Sequence, residues 1–326
     1  MKILVTGGCG FIGANFIKMI LSERPDWQLV NIDALTYAGN LENLKEEQDL
    51  PNYFFKQGNI CSPNDVEEAI SMVNGVDAIV NFAAESHVDN SIKNPGIFIE
   101  TNIQGTLNLL TFAQKAGIRF LQVSTDEVYG SLGATGLFEE DTPLAPNSPY
   151  SASKTGADLL VRAWVETYGL DAVTTRCSNN YGPYQFPEKL IPLALSNLMD
   201  DGVIPIYGEG VNIRDWLHVE DHCSGILLAL EKGTRGRIYN IGGFNEWKNI
   251  DIAKKLLELM GKDESSLTFV DDRLGHDMRY AIDSTRISDE LGWKPKYVFE
   301  TGIQQTVNWY KENENWWRPL KEGLKL

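Results

Sequence analysis

The sequence predicts an α/β protein: a doubly wound parallel sheet with a smaller mixed α/β domain attached. Three observations predict it. Short β-type runs alternate with helical stretches through the first 177 residues, the order that places helices on both faces of a parallel sheet. A glycine-rich turn, GGCGFIG at residues 7–13, joins the first of those runs to the first helix. After Cys177 the alternation stops and the composition turns to Gly, Pro, Asn and Tyr.

In chain order, KILVT at 2–6 reads as a buried strand and 11–21 as a helix. Strands follow at 28–33, 53–58, 77–83, 119–124 and 171–177, with helices near 63–73, 96–116 and 150–168 between them. From 178 to 214 there is one helical piece, 191–199. RIYNI at 237–241 returns to the sheet as a strand. The remainder is helix-rich and ends in an aromatic tail with Trp309, Trp316 and Trp317. This discontinuity predicts one domain from 1–177 and 215–243 and a second from 178–214 and 244–326, with one oversized α/β unit as the alternative.

Charge narrows the partners. The formal charge is −16, from 29 Lys and Arg against 45 Asp and Glu, a poor match for nucleic acid or an anionic membrane. A phosphate ligand must then be held by local groups, such as a helix N-terminus and a few placed cations. Cys9, Cys61, Cys177 and Cys223 form no CxxC pair and no cluster with histidine, so free thiols of a reducing cytoplasm are expected and no metal. Lys2 and the apolar stretch after it resemble a signal peptide only until the glycines at 7–13 interrupt it. No apolar run reaches the ~18 residues of a membrane helix.

Gly7, Gly10 and Gly13 form GxxGxxG, a variant of the dinucleotide fingerprint of Rossmann-type sheets. The first glycine permits the tight turn, the second lets a pyrophosphate approach the backbone, and the third lets helix and strand close up. Asp33 ends the second strand twenty residues after Gly13, where an acidic side chain holds ribose hydroxyls. It would repel a 2′-phosphate, and no Arg or Lys follows closely, so the expected cofactor is NAD rather than NADP. Tyr150 and Lys154 stand as YxxxK in PYSASKTGAD, one face of a helix at i and i+4. An ammonium beside a phenol stabilises phenolate, so Lys154 is expected to lower the Tyr150 pKa and make it a base for a sugar hydroxyl. Alone, such a pair is also an ordinary solvated helix face.

These motifs together resemble the extended short-chain dehydrogenase/reductase family over essentially the whole chain. Ser124-Thr125-Asp126-Glu127-Val128-Tyr129-Gly130 narrows the likeness to its sugar-nucleotide 4,6-dehydratases, because epimerases of the family lack the acid–acid pair. NFAAESHVD at 81–89 and SNNYGPYQFPEKLIPL at 178–193 resemble the branch that acts on dTDP-glucose. The resemblance implies NAD-dependent oxidation at C4, elimination of water across C5–C6 and hydride return to C6. It makes Glu127 the C5 base, Asp126 the acid that protonates the departing hydroxyl, and Thr125 a partner of the C4 oxygen. A neighbouring carboxylate is one way to keep Asp126 protonated.

Further cofactor contacts implied by the resemblance are Phe11 and Ile12; Ala34, Leu35 and Thr36; Asn59 and Ile60; Phe82, Ala83, Ala84 and Ser86; Thr101; and Asn180. Substrate contacts so implied are Ser86, Thr125, Asn179, Lys189, Leu190, Pro205, Tyr207, Arg214, Asn249, Arg273 and His276. Arg214 and Arg273 suit phosphate oxygens as forked donors, and Tyr207 suits a stacked base. Two positions depart from the family pattern: Asn59 stands for a usual Asp, and Leu274 for a usual proline. The chain is also shorter than many members. Relatives form homodimers through two long helices, here near 101–116 and 151–168, with Leu107, Leu110, Leu160 and Trp164 as interface or core. Competing readings are a UDP-linked 4,6-dehydratase, a 4-epimerase and a non-catalytic NAD-binding sensor.

Overall fold

The apolar runs at the start of the chain pair into one parallel sheet. In a computed structural model, which describes residues 1–272 and 275–323, the strands are β1 (Lys2–Thr6), β2 (Gln28–Asp33), β3 (Tyr53–Gln57), β4 (Ala78–Asn81), β5 (Arg119–Thr125) and β6 (Ala172–Cys177). The chain leaves for three short strands, β7 (Asn179–Tyr181), β8 (Ile204–Tyr207) and β9 (Ile213–His218), and returns to the sheet as β10 (Ile238–Ile241). The order β10-β6-β5-β4-β1-β2-β3 is doubly wound, and it reverses between β1 and β4, where Thr6 lies opposite Asn81. Ligands of such sheets bind outside the carboxyl ends of the strands at that reversal. The expected Rossmann-type α/β class is therefore the observed one.

Alternate residues of β1 feed opposite cores, as the period of two requires. Ile3 and Val5 join Phe16, Ile17 and Leu227 on one face, and Leu4 joins Val30, Leu109 and Phe120 on the other. Helices α1 (Phe11–Glu23), α2 (Pro63–Ser71), α3 (Val88–Lys93), α4 (Pro95–Phe98), α5 (Thr106–Ala116) and α6 (Pro149–Tyr168) fill the crossovers. Local chemistry sets their ends. Ser148 and Ser151 close a capping box on α6, Pro149 opens it, and Gly169 stops it at φ 69°.

The second lobe comprises α7 (Leu190–Met199), a three-stranded sheet β11-β9-β7 with β11 at Glu246–Lys248, α9 (Asn249–Met260), and β12 (Leu267–Val270) paired with β8. Helices α11 (Phe299–Glu312) and α12 (Glu314–Gly323) complete it around Tyr181, Leu195, Trp216, Phe299 and Trp317. Helix α8 (Val219–Lys232) packs on α1, and Ile287 of α10 (Thr285–Leu291) joins the large-sheet core. Among the described residues no helix is long and apolar enough to cross a membrane.

The structure departs from the expected elements in three places. The helix expected over 96–116 is broken into α4, a π-helical turn Ile99–Gly105, and α5. The strand expected over 77–83 stops at Asn81, because the chain turns there across the end of the sheet. β9 and α8 carry no clear periodic signal, since β9 buries Arg214 and Asp215 beside Trp216 and Leu217. Of the four candidate interface residues, Leu110 is core, while Leu107, Leu160 and Trp164 are half-buried.

Candidate active site

β1 delivers the chain to Gly7, whose φ of 68° is left-handed. A Cβ there would lie 2.7 Å from the Ala83 Cα, and one on Gly13 would lie 2.4 Å from the Gly7 carbonyl oxygen. Neither position accepts a side chain. A Cβ on Gly10 would meet only its own turn, at 3.3 Å, so the space above it is open to a ligand. Gly10 begins α1 with no side-chain cap, which leaves first-turn N–H groups, Phe11 and Ile12 among them, for an anion. Asp33 is buried. Its Oδ2 accepts from the Cys9 N–H and its Oδ1 from the Leu35 N–H, both at 2.8 Å, which leaves lone pairs for ribose hydroxyls. These residues fit a dinucleotide.

The other expected cofactor residues border the same edge. Ala34, Leu35 and Thr36 follow Asp33, with Leu35 at φ 52°. Asn59 is exposed, its Oδ1 accepting from the Cys61 N–H at 2.9 Å, and Ile60 is buried. Phe82, Ala83, Ala84 and Ser86 leave β4 half-buried, and Thr101 lies half-buried in the π turn. Burial pushes the Cys9 thiol up to about 12, so it is an inert packing group.

β5 ends at Thr125, which caps a 3-10 helix Asp126–Tyr129 by accepting the Glu127 N–H at 3.3 Å. That short helix lifts both acids out of the sheet edge. Asp126 is 2% exposed and its Oδ2 has no hydrogen-bond partner. Burial pushes its carboxyl well above the usual range, and the negative charges of Glu127 and Asp215 add to the effect, with Arg214 and Thr125 opposing it. That direction favours the protonated carboxyl beside Glu127.

Tyr150 lies in the first turn of α6, buried, with Phe98 edge-on at 6.3 Å. The expected lowering of its pKa by Lys154 does not occur. Burial raises the phenol well above its ordinary value and the charge of Glu127 raises it further. Lys154 donates instead to the Val123 carbonyl at 2.8 Å, and burial lowers its own pKa. Desolvation outweighs the favourable pairing that i, i+4 spacing suggests.

Several supporting residues carry no motif. Asn102, set by the π turn, accepts the Glu85 N–H at 2.9 Å and donates to the Glu85 carbonyl at 3.0 Å and to Ser153 Oγ at 2.8 Å. Ser153 Oγ in turn donates to the Tyr150 carbonyl at 2.7 Å, so one buried amide ties the loop after β4 to the catalytic helix. Arg176 pairs with Asp158 at 2.9 Å, donates to the Tyr129 hydroxyl at 2.9 Å and steadies the 3-10 helix. Asn43 donates to the Cys9 carbonyl and accepts from Trp316 Nε1, both at 2.8 Å, bracing the glycine turn from α12. The signal for such residues is a polar side chain where the pattern demands an apolar one, as with Asn102 and Asn31; Asn31 Oδ1 accepts the Gly8 N–H at 3.1 Å.

β7 and β9 place the candidate substrate groups opposite this edge. Asn179 and Asn180 are half-buried on β7, and Asn180 Oδ1 accepts from His222 Nδ1 at 2.9 Å while its amide donates to the Ser178 carbonyl. That amide assignment makes His222 the Nδ1–H tautomer. Lys189 caps α7 and donates to the Ser86 carbonyl at 3.2 Å; Leu190 begins the helix. Arg214 donates to the Asp277 carbonyl at 2.9 Å and covers the Tyr280 ring at 4.4 Å. Tyr207 and Pro205 share β8, and the Tyr207 hydroxyl donates to Asp89 at 3.4 Å across the cleft. The His276 ring is 6.3 Å from that of Tyr207, and its Nδ1 bonds Asp272 at 2.6 Å. Asn249 opens α9, its N–H donating to the Asn212 carbonyl at 3.0 Å. Arg273 and Leu274 lie outside the described residues. Among the described residues no cluster suits a metal ion.

A glycine cradle on a doubly wound sheet, with Thr125, Asp126, Glu127, Tyr150 and Lys154 gathered at its carboxyl edge, defines an extended short-chain dehydrogenase/reductase. Comparison with known proteins carries this further. Residues 4–306 match the family model described as GDP-mannose 4,6 dehydratase. The dTDP-glucose 4,6-dehydratase of Neisseria meningitidis serogroup B is 48% identical over 99% of this chain and 96% of its own. That of an Actinoplanes species is 50% identical over 97% of this chain and 100% of its own. The crystal structure of dTDP-glucose 4,6-dehydratase DesIV from Streptomyces venezuelae, solved with NAD bound, superposes with a TM-score of 0.95 at 50% identity, covering 98% of this chain and all of that one. UDP-glucose 4-epimerase from Thermotoga maritima superposes at 0.89 with 28% identity, covering 96% of this chain and all of that one. The chain belongs to the dTDP-glucose 4,6-dehydratase family.

Proposed function

We propose that the chain converts dTDP-glucose to dTDP-4-keto-6-deoxyglucose and water, with NAD as its resident cofactor. The chemistry that NAD supplies when bound is removal of hydride from C4 and its return to C6. Tyr150 accepts the C4 hydroxyl proton as phenolate, a form that the Lys154 ammonium and the positive charge of a bound nicotinamide ring would favour against the burial that raises it, and Thr125 holds the C4 oxygen. Glu127 removes the C5 proton, acidified by the adjacent ketone, Asp126 protonates the leaving C6 hydroxyl, and a proton goes back to C5 as the hydride returns to C6. Lys154, fixed on the Val123 carbonyl, lies at the foot of the same helix turn and orients the cofactor ribose. The observation that carries this reading is the Asp126 carboxyl, buried next to Glu127 with its Oδ2 unpartnered, a setting that raises its pKa and favours the protonated form. Epimerisation needs no such donor, and a sensor needs neither acid.

In this proposal the large-sheet domain, expected over 1–177 and 215–243, holds the dinucleotide, and the second lobe, which takes in β9 and leaves α10 to the large-sheet core, closes over it to hold the sugar nucleotide. The active form is a homodimer built through α5 and α6; Leu159 and Tyr168 of α6 are 52% and 56% exposed in the single chain. A monomeric mass at micromolar concentration refutes the dimer. Turnover on a panel of dTDP-, UDP-, CDP- and GDP-glucose tests the substrate. The 4-keto-6-deoxy product, read by its near-ultraviolet absorbance in alkali, should form from dTDP-glucose without net NADH release. Absence of that product overturns the dehydratase reading, and faster turnover of the UDP sugar overturns the choice of base.

A further inference from the structure

We propose that residues 183–189 form a strap over the cofactor crevice, latched by the bond between Tyr37 and Glu188, and that these two residues govern escape of the dinucleotide. The inference rests on the cofactor reading above.

Within seven residues the strap touches three segments that border the crevice, namely α1, the loop after β2 and the loop after β4. Asn15 Nδ2 of α1 donates to the Pro183 carbonyl at 3.0 Å, and Lys18 Nζ of α1 lies 5.1 Å from the centre of the Tyr184 ring. Phe186 meets the Tyr37 ring edge-on at 5.7 Å, and the Tyr37 hydroxyl donates to Glu188 Oε1 at 3.1 Å, one residue beyond the loop that follows Asp33. Glu188 Oε2 is 3.8 Å from His87 Nε2, and Lys189 donates to the Ser86 carbonyl, both in the loop after β4. The strap thus crosses from α1, past the ribose-binding loop, to the far wall.

Its other edge is anchored in the second lobe. Gln185 donates to the Asn180 carbonyl at 2.9 Å, the Tyr310 hydroxyl donates to the Gln185 carbonyl, and Tyr184 wedges against Trp309 and Trp316 at φ 66°. Opening the crevice therefore means breaking the contacts on the large-sheet side. Among these the Tyr37–Glu188 bond joins a tyrosine that is 38% exposed as a residue to a carboxylate side chain only 9% exposed, so it lies at the rim of the cleft. A hydrogen bond to a buried carboxylate is among the stronger non-covalent contacts.

The test uses the full chain loaded with NADH, whose fluorescence reports release when excess NAD is added. Tyr37→Phe keeps the ring contact with Phe186, and Glu188→Met keeps an unbranched side chain of similar length without an oxygen to accept the Tyr37 hydroxyl, so both remove the bond and leave the strap's packing in place. Each should release NADH about tenfold faster than the parent. The double variant should be no faster than Tyr37→Phe, because both changes remove one bond. Release within twofold of the parent in both single variants overturns the latch, and so does a double variant whose effect is the product of the two. A parent chain that takes up no nicotinamide dinucleotide overturns the cofactor reading itself, an outcome distinct from either.

Discussion

Acid should unfold this protein through two buried histidines, and one substitution isolates the effect. Burial lowers His218 from 6.5 to about 4 and His222 from 6.5 to about 3. An unfolded chain protonates both rings near pH 6.5, whereas the folded protein keeps them neutral. Below that pH the unfolded state binds more protons, so this contribution is intact at pH 8 and is lost as pH falls towards the folded values. At pH 5 an ordinary histidine is about 97% protonated, which corresponds to roughly 1.5 pKa units, or about 2 kcal/mol for each ring. Buried carboxyls such as Asp33, Asp126 and Glu188, raised by burial, act in the opposite direction and blunt the net profile. A difference between variants removes them. His222→Gln keeps a donor for Asn180 Oδ1 and does not titrate, so between pH 8 and pH 5 it should lose about 2 kcal/mol less than the parent. Urea unfolding at one-unit steps of pH measures both. Equal losses in parent and variant would refute the reasoning, because they would mean that His222 protonates in the folded state as readily as in the unfolded one.

Three further outcomes follow from the site. Tyr150→Phe should abolish bound-NADH formation on mixing with dTDP-glucose, since nothing then accepts the C4 proton; a normal NADH transient would remove Tyr150 from that role. Asp126→Asn should slow water loss by ~10²–10⁴-fold while solvent deuterium still enters C5, and Glu127→Gln should suppress that exchange. The reverse pattern would exchange the two roles, and normal product from both variants would make the pair structural. Asn102→Ala strands the buried N–H and carbonyl of Glu85, so thermal or urea unfolding should show a loss of about 2–5 kcal/mol, with kcat reduced through Tyr150. A loss under 1 kcal/mol would show that water replaces the amide.

Much of the fold was legible because burial on a parallel sheet is written in local periodicity. KILVT, GGCGFIG and α6 each need only their own neighbours to be recognised, whereas the order of the strands, with its reversal between β1 and β4, is set by tertiary pairing. Asp33 and Tyr150 were legible because a motif spacing fixes each to a strand end or a helix turn, whereas Asp126 and Glu127 were legible only through the family resemblance of residues 124–130. Other features depend on partners far away in sequence. β9 is a strand because β7 and β11 lie on either side of it, and its buried Arg214 and Asp215 hide the pattern. The π turn that aims Asn102 leaves no local trace, and the brace from Trp316 to the glycine turn joins residues 273 apart. The spacing of Tyr150 and Lys154 specified one helix face, but only the tertiary structure sent the ammonium to the Val123 carbonyl and raised the phenol. Spacing fixes which groups can be neighbours, whereas proton affinity depends on how much water the rest of the fold excludes.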